Sequence, residues 1–248
     1  LHTKQLIIGG LILAAAAVPV LAVSAAGSAQ PPTQDETPKE TKAKPTTVED
    51  VVAAANRVCY YQGRDRSSQV SMEIVDAQGR KRTREMTILR RNEPEPEGTV
   101  TDEKTIDCSS REQSFYVRFQ RPADVDKTTF MVHKKPVSGR HLQADERKLV
   151  ETTDNYWVVE AKPKDPTSVE FASYKMWVHR VSAVVVKMEY KDSKGETYRT
   201  YEVLGVETIQ GNPTVVKAKM TDLRTKGSTT VSYSNAQHDI GPPEHIST

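Results

Sequence analysis

The chain has 248 residues, a formal net charge of +2, 36% hydrophobic residues and 27% charged residues. A charge this close to zero argues against a dedicated nucleic-acid-binding protein, and the low hydrophobic content excludes a multi-span membrane protein. Two cysteines are too few for a cysteine-rich zinc module or a disulfide-dense miniprotein.

The N-terminal segment has the layout of a secretory signal peptide. Lys4 precedes an apolar run at residues 6–23, and several small residues follow this run. The pattern predicts export with cleavage after Ala25, and cleavage after Ala29 also satisfies the small-residue preference. An uncleaved membrane anchor is the alternative. We therefore expect residues 1–25 to be a signal peptide.

The remaining chain divides into a linker, one domain and a tail. Residues 26–46 are rich in Pro, Thr, Lys and Glu and predict a disordered linker. Periodic hydrophobic patterns begin near residue 47 and end before residue 243. We therefore expect a domain at residues 47–243 and a short tail at residues 244–248.

One amphipathic helix is predicted at the start of the domain. Thr47 and Asp50 have the spacing of a capping box. The apolar residues that follow fall on a single helical stripe, made up of Val48, Val51, Val52, Ala55, Val58 and Cys59. This stripe predicts that the helix packs on a larger apolar surface.

The rest of the domain has a hydrophobic period of two, which is typical of strands. The predicted strands cover residues 70–75, 83–90, 115–120, 129–133, 156–161, 173–180, 184–190, 198–206, 215–221 and 229–234. Short connections predict antiparallel pairing between sequence neighbours. We expect a mainly β protein with a single large curved antiparallel sheet, either a half-barrel or an open barrel, whose concave face the helix covers. An enclosed cavity and a filled core both remain open.

The two cysteines, Cys59 and Cys108, are candidates for one disulfide. In an oxidising compartment this pairing would join the helix to the loop before the strand at 115–120. Two unpaired thiols are the alternative, with Cys59 acting as a small apolar residue of the stripe.

The sequence offers no recognised catalytic motif and no histidines at metal-ligand spacing. We therefore expect neither an enzyme nor a bound metal or cofactor. Residues 145–148 mix two acidic with two basic side chains and are interpreted as an exposed charged turn. Basic residues at 80–82 and 90–91 predict either a strand edge guarded by charge or a surface for anionic headgroups or a partner.

Several stretches together resemble the outer-membrane lipoprotein-sorting protein family, the LolA-like proteins, over residues 51–243. They are Tyr60-Tyr-Gln62, Met86-Thr-Ile-Leu-Arg-Arg91, Phe115-Tyr-Val-Arg-Phe-Gln-Arg-Pro-Ala-Asp-Val125, Val186-Lys-Met-Glu-Tyr190, Val206-Glu-Thr-Ile-Gln-Gly211 and Lys219-Met-Thr-Asp-Leu-Arg-Thr225.

The resemblance implies a periplasmic half-barrel with a helical lid that holds acyl chains in an apolar cavity and catalyses no reaction. Its expected partners are lipid or lipoprotein acyl chains, an inner-membrane transporter and an outer-membrane acceptor, with no nucleic acid. One central block of the family pattern is absent after Pro136, where the family usually continues with a further strand and part of the lid.

The candidate cavity residues are apolar positions on the predicted strands. They are Phe115, Val117, Phe119, Phe130, Trp177, Val184, Val186 and Met188. A register shift of one residue would turn the other face of a strand inward, so the sequence leaves the inward face of each strand open. The alternative function is a periplasmic interaction or accessory module of an envelope transporter complex.

Overall fold

The structure is a computed structural model that describes residues 47–60, 62–93, 112–134, 145–164, 166–167 and 169–241. The signal peptide, the linker, Cys108 and the tail lie outside these ranges and stay predictions. Helix α1 covers Val48–Tyr60. The strands are β1 Asp65–Val75, β2 Lys81–Asn92, β3 Gln113–Arg121, β4 Thr129–Lys134, β5 Asp145–Thr152, β6 Tyr156–Pro163, β7 Ser173–His179, β8 Val185–Lys191, β9 Thr197–Ile209, β10 Asn212–Asp222 and β11 Gly227–His238.

All eleven strands form one antiparallel sheet, with the order β4-β3-β2-β1-β11-β10-β9-β8-β7-β6-β5. The prediction of a single large antiparallel sheet is confirmed, and the sheet is not closed into a barrel. Sequence neighbours pair everywhere except between β4 and β5. The first and last strands, β1 and β11, pair at the centre of the sheet.

The chain connection between β4 and β5 requires the sheet to bend. These two strands are its opposite edges. A flat sheet with ten strand spacings would be ~48 Å wide. Lys134 ends β4 and Asp145 begins β5, and eleven Cα–Cα steps reach at most ~40 Å. The two edges are therefore closer together than a flat sheet would allow.

The interpretation of residues 145–148 as an exposed turn is wrong, because they begin the edge strand β5. An edge strand pairs on one side only, so it accepts charged side chains that a central strand would exclude. Half-buried Arg147 and Leu149 lie opposite Ala161 and Val159 of β6. Glu146 and Lys148, on the other face of the strand, are exposed. The alternation that identifies this strand is therefore hidden by charge on both faces.

The predicted capping box starts α1 and is confirmed. The Asp50 N–H donates to Thr47 Oγ1 at 3.1 Å, and the Thr47 N–H donates to Asp50 Oδ2 at 3.0 Å. The Thr47 hydroxyl also donates to Asp50 Oδ2 at 2.8 Å, and the bonds that the Thr47 hydroxyl and N–H donate to this carboxylate lower its pKa. Among the residues described, no helix is both long and apolar enough to cross a membrane.

The helix packs against one end of the sheet. Val51, Val52 and Ala55 are buried against a cluster on β6, β7 and β8 that contains Val159, Met176, Val178 and Val185. Val51 is fully buried. We call the sheet face that carries these four residues the inner face. Burial of this stripe stabilises the helix, because an isolated helix of this length is marginal in water.

A second apolar cluster lies on the inner face at the other end of the sheet. It consists of Val70, Met86, Val117, Val216, Val231 and Tyr233. The strand registers place both clusters on one face, because Val231 lies opposite Ala218, Met220 opposite Tyr201, and Met188 opposite both Tyr201 and Met176. We call this second group the β1–β3 cluster, since half of it lies on these strands.

Candidate functional site

The inner face continues past the β1–β3 cluster to the sheet edge. Phe119 packs against the cluster, and its ring contacts Phe130 of β4 edge-to-face with centroids 5.9 Å apart. Phe130 and Val132 lie opposite Val117 and Phe115 and therefore share the inner face. Their exposed fractions are 53% and 47%. An apolar surface thus runs from a buried cluster to a solvent-accessible edge.

Five of the candidate cavity residues lie on this inner face. Phe115 and Val117 are buried, Phe119 is half-buried and Phe130 is exposed. Met188 lies at the helix-covered end and packs against the cluster there. The first four are neighbours on β3 and β4, and Met188 is separated from them by several strands.

Trp177 lies on the opposite, outer face. It pairs with Lys187 and alternates with Met176 and Val178, which face the helix. The Lys187 ammonium lies 4.5 Å from its ring centroid, which is a cation–π contact. Trp177 therefore does not line the inner surface.

The remaining two candidates lie at an irregularity between β7 and β8. Val184 is buried and precedes β8, and its carbonyl accepts from the His179 N–H at 2.9 Å. Val186 is half-buried, in the register shift between the Trp177–Lys187 and Val178–Val185 pairs. A bulge of this kind locally interrupts the alternation on which the prediction was based.

A row of polar side chains borders the β1–β3 cluster. Arg66 lies opposite His238 of β11 on one side and opposite Arg90 of β2 on the other. Arg90 in turn lies opposite Phe115 of β3. Arg66 and Val70 have the same parity along β1, so this row is on the inner face. We call Arg66, Arg90 and His238 the cationic row.

The segment that joins α1 to β1 crosses this end of the sheet. Arg90 Nη2 donates to the Gln62 carbonyl. Gln62 Nε2 donates to the Pro213 carbonyl at 3.1 Å. Asn92 Nδ2 donates to the Gly63 carbonyl at 2.7 Å. These bonds attach the segment to β2 and β10, next to the cationic row.

Arg66 carries a buried charge with few compensating contacts. Its exposed fraction is 7%. Its side chain makes one hydrogen bond to a described residue, from Nε to Ser68 Oγ at 3.3 Å, and its buried Nη2 makes none. Burial, and secondly the positive charge of Arg90, lowers the pKa of Arg66 to about 9. The fold therefore holds this guanidinium in an unfavourable environment.

The imidazole ring of His238 is also buried. Its exposed fraction is 1%, and neither ring nitrogen makes a hydrogen bond within the described ranges. Burial, and then the charges of Arg66 and Arg90, lower its pKa to about 4, and the nearby Gln62 backbone and Asp239 oppose only part of this effect. The ring is therefore neutral at neutral pH.

The described part of the chain shows no other obvious chemical site. No three His, Cys, Asp or Glu side chains within it lie close enough to hold a metal ion. Burial raises the pKa of the Cys59 thiol to about 11. Its candidate disulfide partner, Cys108, lies outside the described residues, so the disulfide stays a prediction.

Sequence reasoning missed the cationic row. Arg90 was assigned to an exposed basic cluster, whereas it is 8% exposed on the inner face. The parity of the strands was an available signal, because Arg66 and Arg90 are each four residues from a core residue, Val70 and Met86 respectively.

Comparisons of the sequence with known proteins find one family model and no curated relative. A protein-family model described as "Uncharacterized protein" matches residues 135–248. No curated protein matches the chain.

Three solved structures are similar over most of the chain. A DUF1329 family protein from Desulfovibrio piger has 16% identity and a TM-score of 0.60, covering 79% of this chain and 94% of that one. A LolA superfamily protein from Nitrosomonas europaea has 15% identity and a TM-score of 0.58, with coverages of 82% and 98%. A protein from Vibrio parahaemolyticus described as an outer membrane lipoprotein-sorting protein domain has 18% identity and a TM-score of 0.59, with coverages of 79% and 94%.

These similarities define the class of fold. The chain has a LolA-like fold, with one large open antiparallel sheet and a helix on its apolar face. At these identities the similarity shows the fold alone.

Proposed function

We propose that this protein is a periplasmic carrier that binds lipid or lipoprotein acyl chains and moves them toward the outer membrane without catalysing a reaction. The observation that carries the proposal is the continuity of the inner face. Its apolar surface extends from the buried β1–β3 cluster to Phe130 and Val132, which are exposed at the β4 edge. Large exposed apolar residues that continue into a core are typical of binding surfaces.

The edge strand β4 gives acyl chains a route to the inner face. A chain that reaches Phe130 next contacts Phe119 and then Val117 and Met86, because these residues are neighbours in the strand register. Each methylene that leaves water on this path contributes about 0.8 kcal/mol. No covalent chemistry is needed for binding or release.

The LolA-like fold supports the same proposal, since proteins with this fold include one described as an outer membrane lipoprotein-sorting protein domain. An inner-membrane transporter and an outer-membrane acceptor are the expected partners. A membrane or an acceptor has to offset the burial energy for the chain to be released.

A chain-length series tests the proposal directly. Lysophospholipids that share one headgroup and differ in acyl length are titrated into the lipid-free protein by calorimetry. We expect the affinity to rise about fourfold for each added methylene, until the apolar surface is filled. An affinity that does not depend on chain length would contradict acyl-chain binding.

An interaction or accessory module is the second candidate, and the position of β4 at an edge of the described sheet favours it. Met131 is 39% exposed on the outer face, next to Phe130 and Val132. Edge strands with exposed apolar residues can pair with a strand of another protein. A photocrosslinker at residue 131 that forms one discrete protein adduct in the periplasm, combined with no chain-length dependence of lipid binding, would support this alternative.

A further inference from the structure

We propose that the cationic row, with Arg66 as its main donor, binds the acidic phosphate headgroup of an amphiphile whose acyl chains lie on the β1–β3 cluster. This inference rests on the proposed function and specifies its ligand. It assigns a role to three buried polar residues that the apolar surface alone does not explain.

The position of the row matches the geometry of an amphiphile. Arg66, Arg90 and Phe115 lie side by side on β1, β2 and β3. The next inward-facing row, Ser68, Ile88 and Val117, is two residues further along each strand, which corresponds to ~7 Å. Beyond it come Val70, Met86 and Phe119. The polarity of the inner face therefore changes from cationic to apolar over the distance between a phosphate and its acyl chains.

Arg66 has donors that an anion could use. Its Nη2 is buried and makes no hydrogen bond to the residues described, and its guanidinium faces a second positive charge on Arg90. Arg90 already donates to the Gln62 carbonyl, so it contributes mainly charge. The buried charge of Arg66, which has no counter-ion among the residues described, is unfavourable. A bound anion would compensate the buried charge of Arg66.

The donor set favours a phosphate. A guanidinium presents parallel N–H groups that match two phosphate oxygens. The neutral His238 ring can add one N–H donor without a further charge. Among the described acidic residues, Asp65 is adjacent in sequence but accepts from the N–H groups of Ile240 and Gly241 at 2.7 and 3.1 Å. Its carboxylate is therefore already engaged by backbone donors.

The experiment compares two lipids that differ only in the headgroup. Dioctanoyl phosphatidylglycerol and dioctanoylglycerol are titrated into lipid-free full-length mature protein, with inorganic phosphate as a separate titrant. The proteins are wild type, Arg66→Met, Arg66→Lys and the control Arg118→Met. Arg118 is exposed on the outer face of β3, so its replacement removes one arginine charge away from the site.

We expect wild-type protein to prefer phosphatidylglycerol, and Arg66→Met to lose roughly 10- to 100-fold in affinity for it, which is the effect of a charge-assisted hydrogen bond. The preference of Arg66→Met for phosphatidylglycerol over dioctanoylglycerol falls by a similar factor, because dioctanoylglycerol carries no phosphate. Arg118→Met behaves like wild type. Arg66→Lys keeps the charge but loses the paired N–H geometry, so it retains part of the preference.

Each other outcome is decisive. If wild type binds both lipids equally, the headgroup site is refuted while the carrier proposal stands. If wild type binds neither lipid, the carrier proposal fails and this inference fails with it. If inorganic phosphate binds in an Arg66-dependent way and the headgroup gives no preference, the row binds free anions and the lipid assignment is overturned. The wild-type comparison is informative even if a variant does not fold.

Discussion

Replacing Arg66 by methionine should stabilise the lipid-free protein. The pKa of Arg66, lowered to about 9, means that the fold disfavours the charged guanidinium by up to ~5 kcal/mol. Methionine removes this charge and its repulsion with Arg90, and it fills a similar volume. The variant loses the hydrogen bond from Nε to Ser68 Oγ, and this loss reduces the gain in stability by about 1 kcal/mol. Solvent screening reduces the charge effect further, so we expect a net gain of ~1–3 kcal/mol in the free energy of unfolding.

The assay is urea unfolding of the wild-type protein and the Arg66→Met variant after removal of lipid, monitored by tryptophan fluorescence. With a slope of about 2 kcal/mol per molar urea, the midpoint should rise by roughly 0.5–1.5 M at an unchanged slope. Arg118→Met should stay within about 0.5 kcal/mol of wild type, because its side chain is exposed. A variant destabilised by more than about 1 kcal/mol would refute the reasoning and make Arg66 a structural anchor.

The inner-face assignment predicts that Phe119→Asp abolishes lipid uptake with an unchanged circular dichroism spectrum, because a carboxylate replaces a ring that packs on the apolar cluster. Gln120→Asp, on the outer face, should bind lipid like wild type; loss of uptake in both would contradict the assignment. The low pKa of His238, about 4, means that only the unfolded chain gains a proton at this residue between pH 6.5 and 4, so the free energy of unfolding falls as the pH drops through this window. His238→Gln should flatten that decrease in pH-dependent urea unfolding, and an unaltered slope would show that other groups cause it. A Cβ at residue 205 would lie 2.8 Å from Val216 Cγ2, so Gly205→Ala should destabilise the protein by ~1–3 kcal/mol. The same substitution in a Val216→Ala background should have a much smaller effect, and equal effects in the two backgrounds would indicate another cause.

Most of the fold could be predicted because its signals are local. The stripe of α1 and its capping box at Thr47 and Asp50 were readable, and both hydrogen bonds of the box are present. The period-two pattern predicted ten of the strands. The exception was β5, where charged side chains of an edge strand conceal the alternation. Edge strands are partly exposed to solvent, so they tolerate charged residues at positions where a central strand requires apolar ones.

The long-range pairing was not readable from the sequence. Nothing local indicates that β1 pairs with β11, or that β4 and β5 are opposite edges. The β1–β11 pairing joins residues far apart in the chain, and it is set by the packing of the whole sheet. The pairing of strands that are neighbours in sequence is instead encoded locally, by the short turns that join them.

The candidate site could be predicted in part. Phe115, Val117, Phe119 and Phe130 share the inner face because they alternate regularly along β3 and β4. Trp177 was placed on the wrong face by one residue, a slip to which period-two patterns are prone. The cationic row was missed because arginine is usually interpreted as exposed, although parity with the core residues indicated otherwise.

The most direct test of the carrier account is lipid extraction and mass spectrometry on mature protein purified from the periplasm without detergent. The account predicts phospholipid or acylated peptide at a constant ratio to protein, and acidic phospholipid should be enriched over its share in the membrane. The Phe119→Asp variant, purified in parallel, should carry none. A folded protein that is free of lipid and takes up no added phosphatidylglycerol would contradict the account.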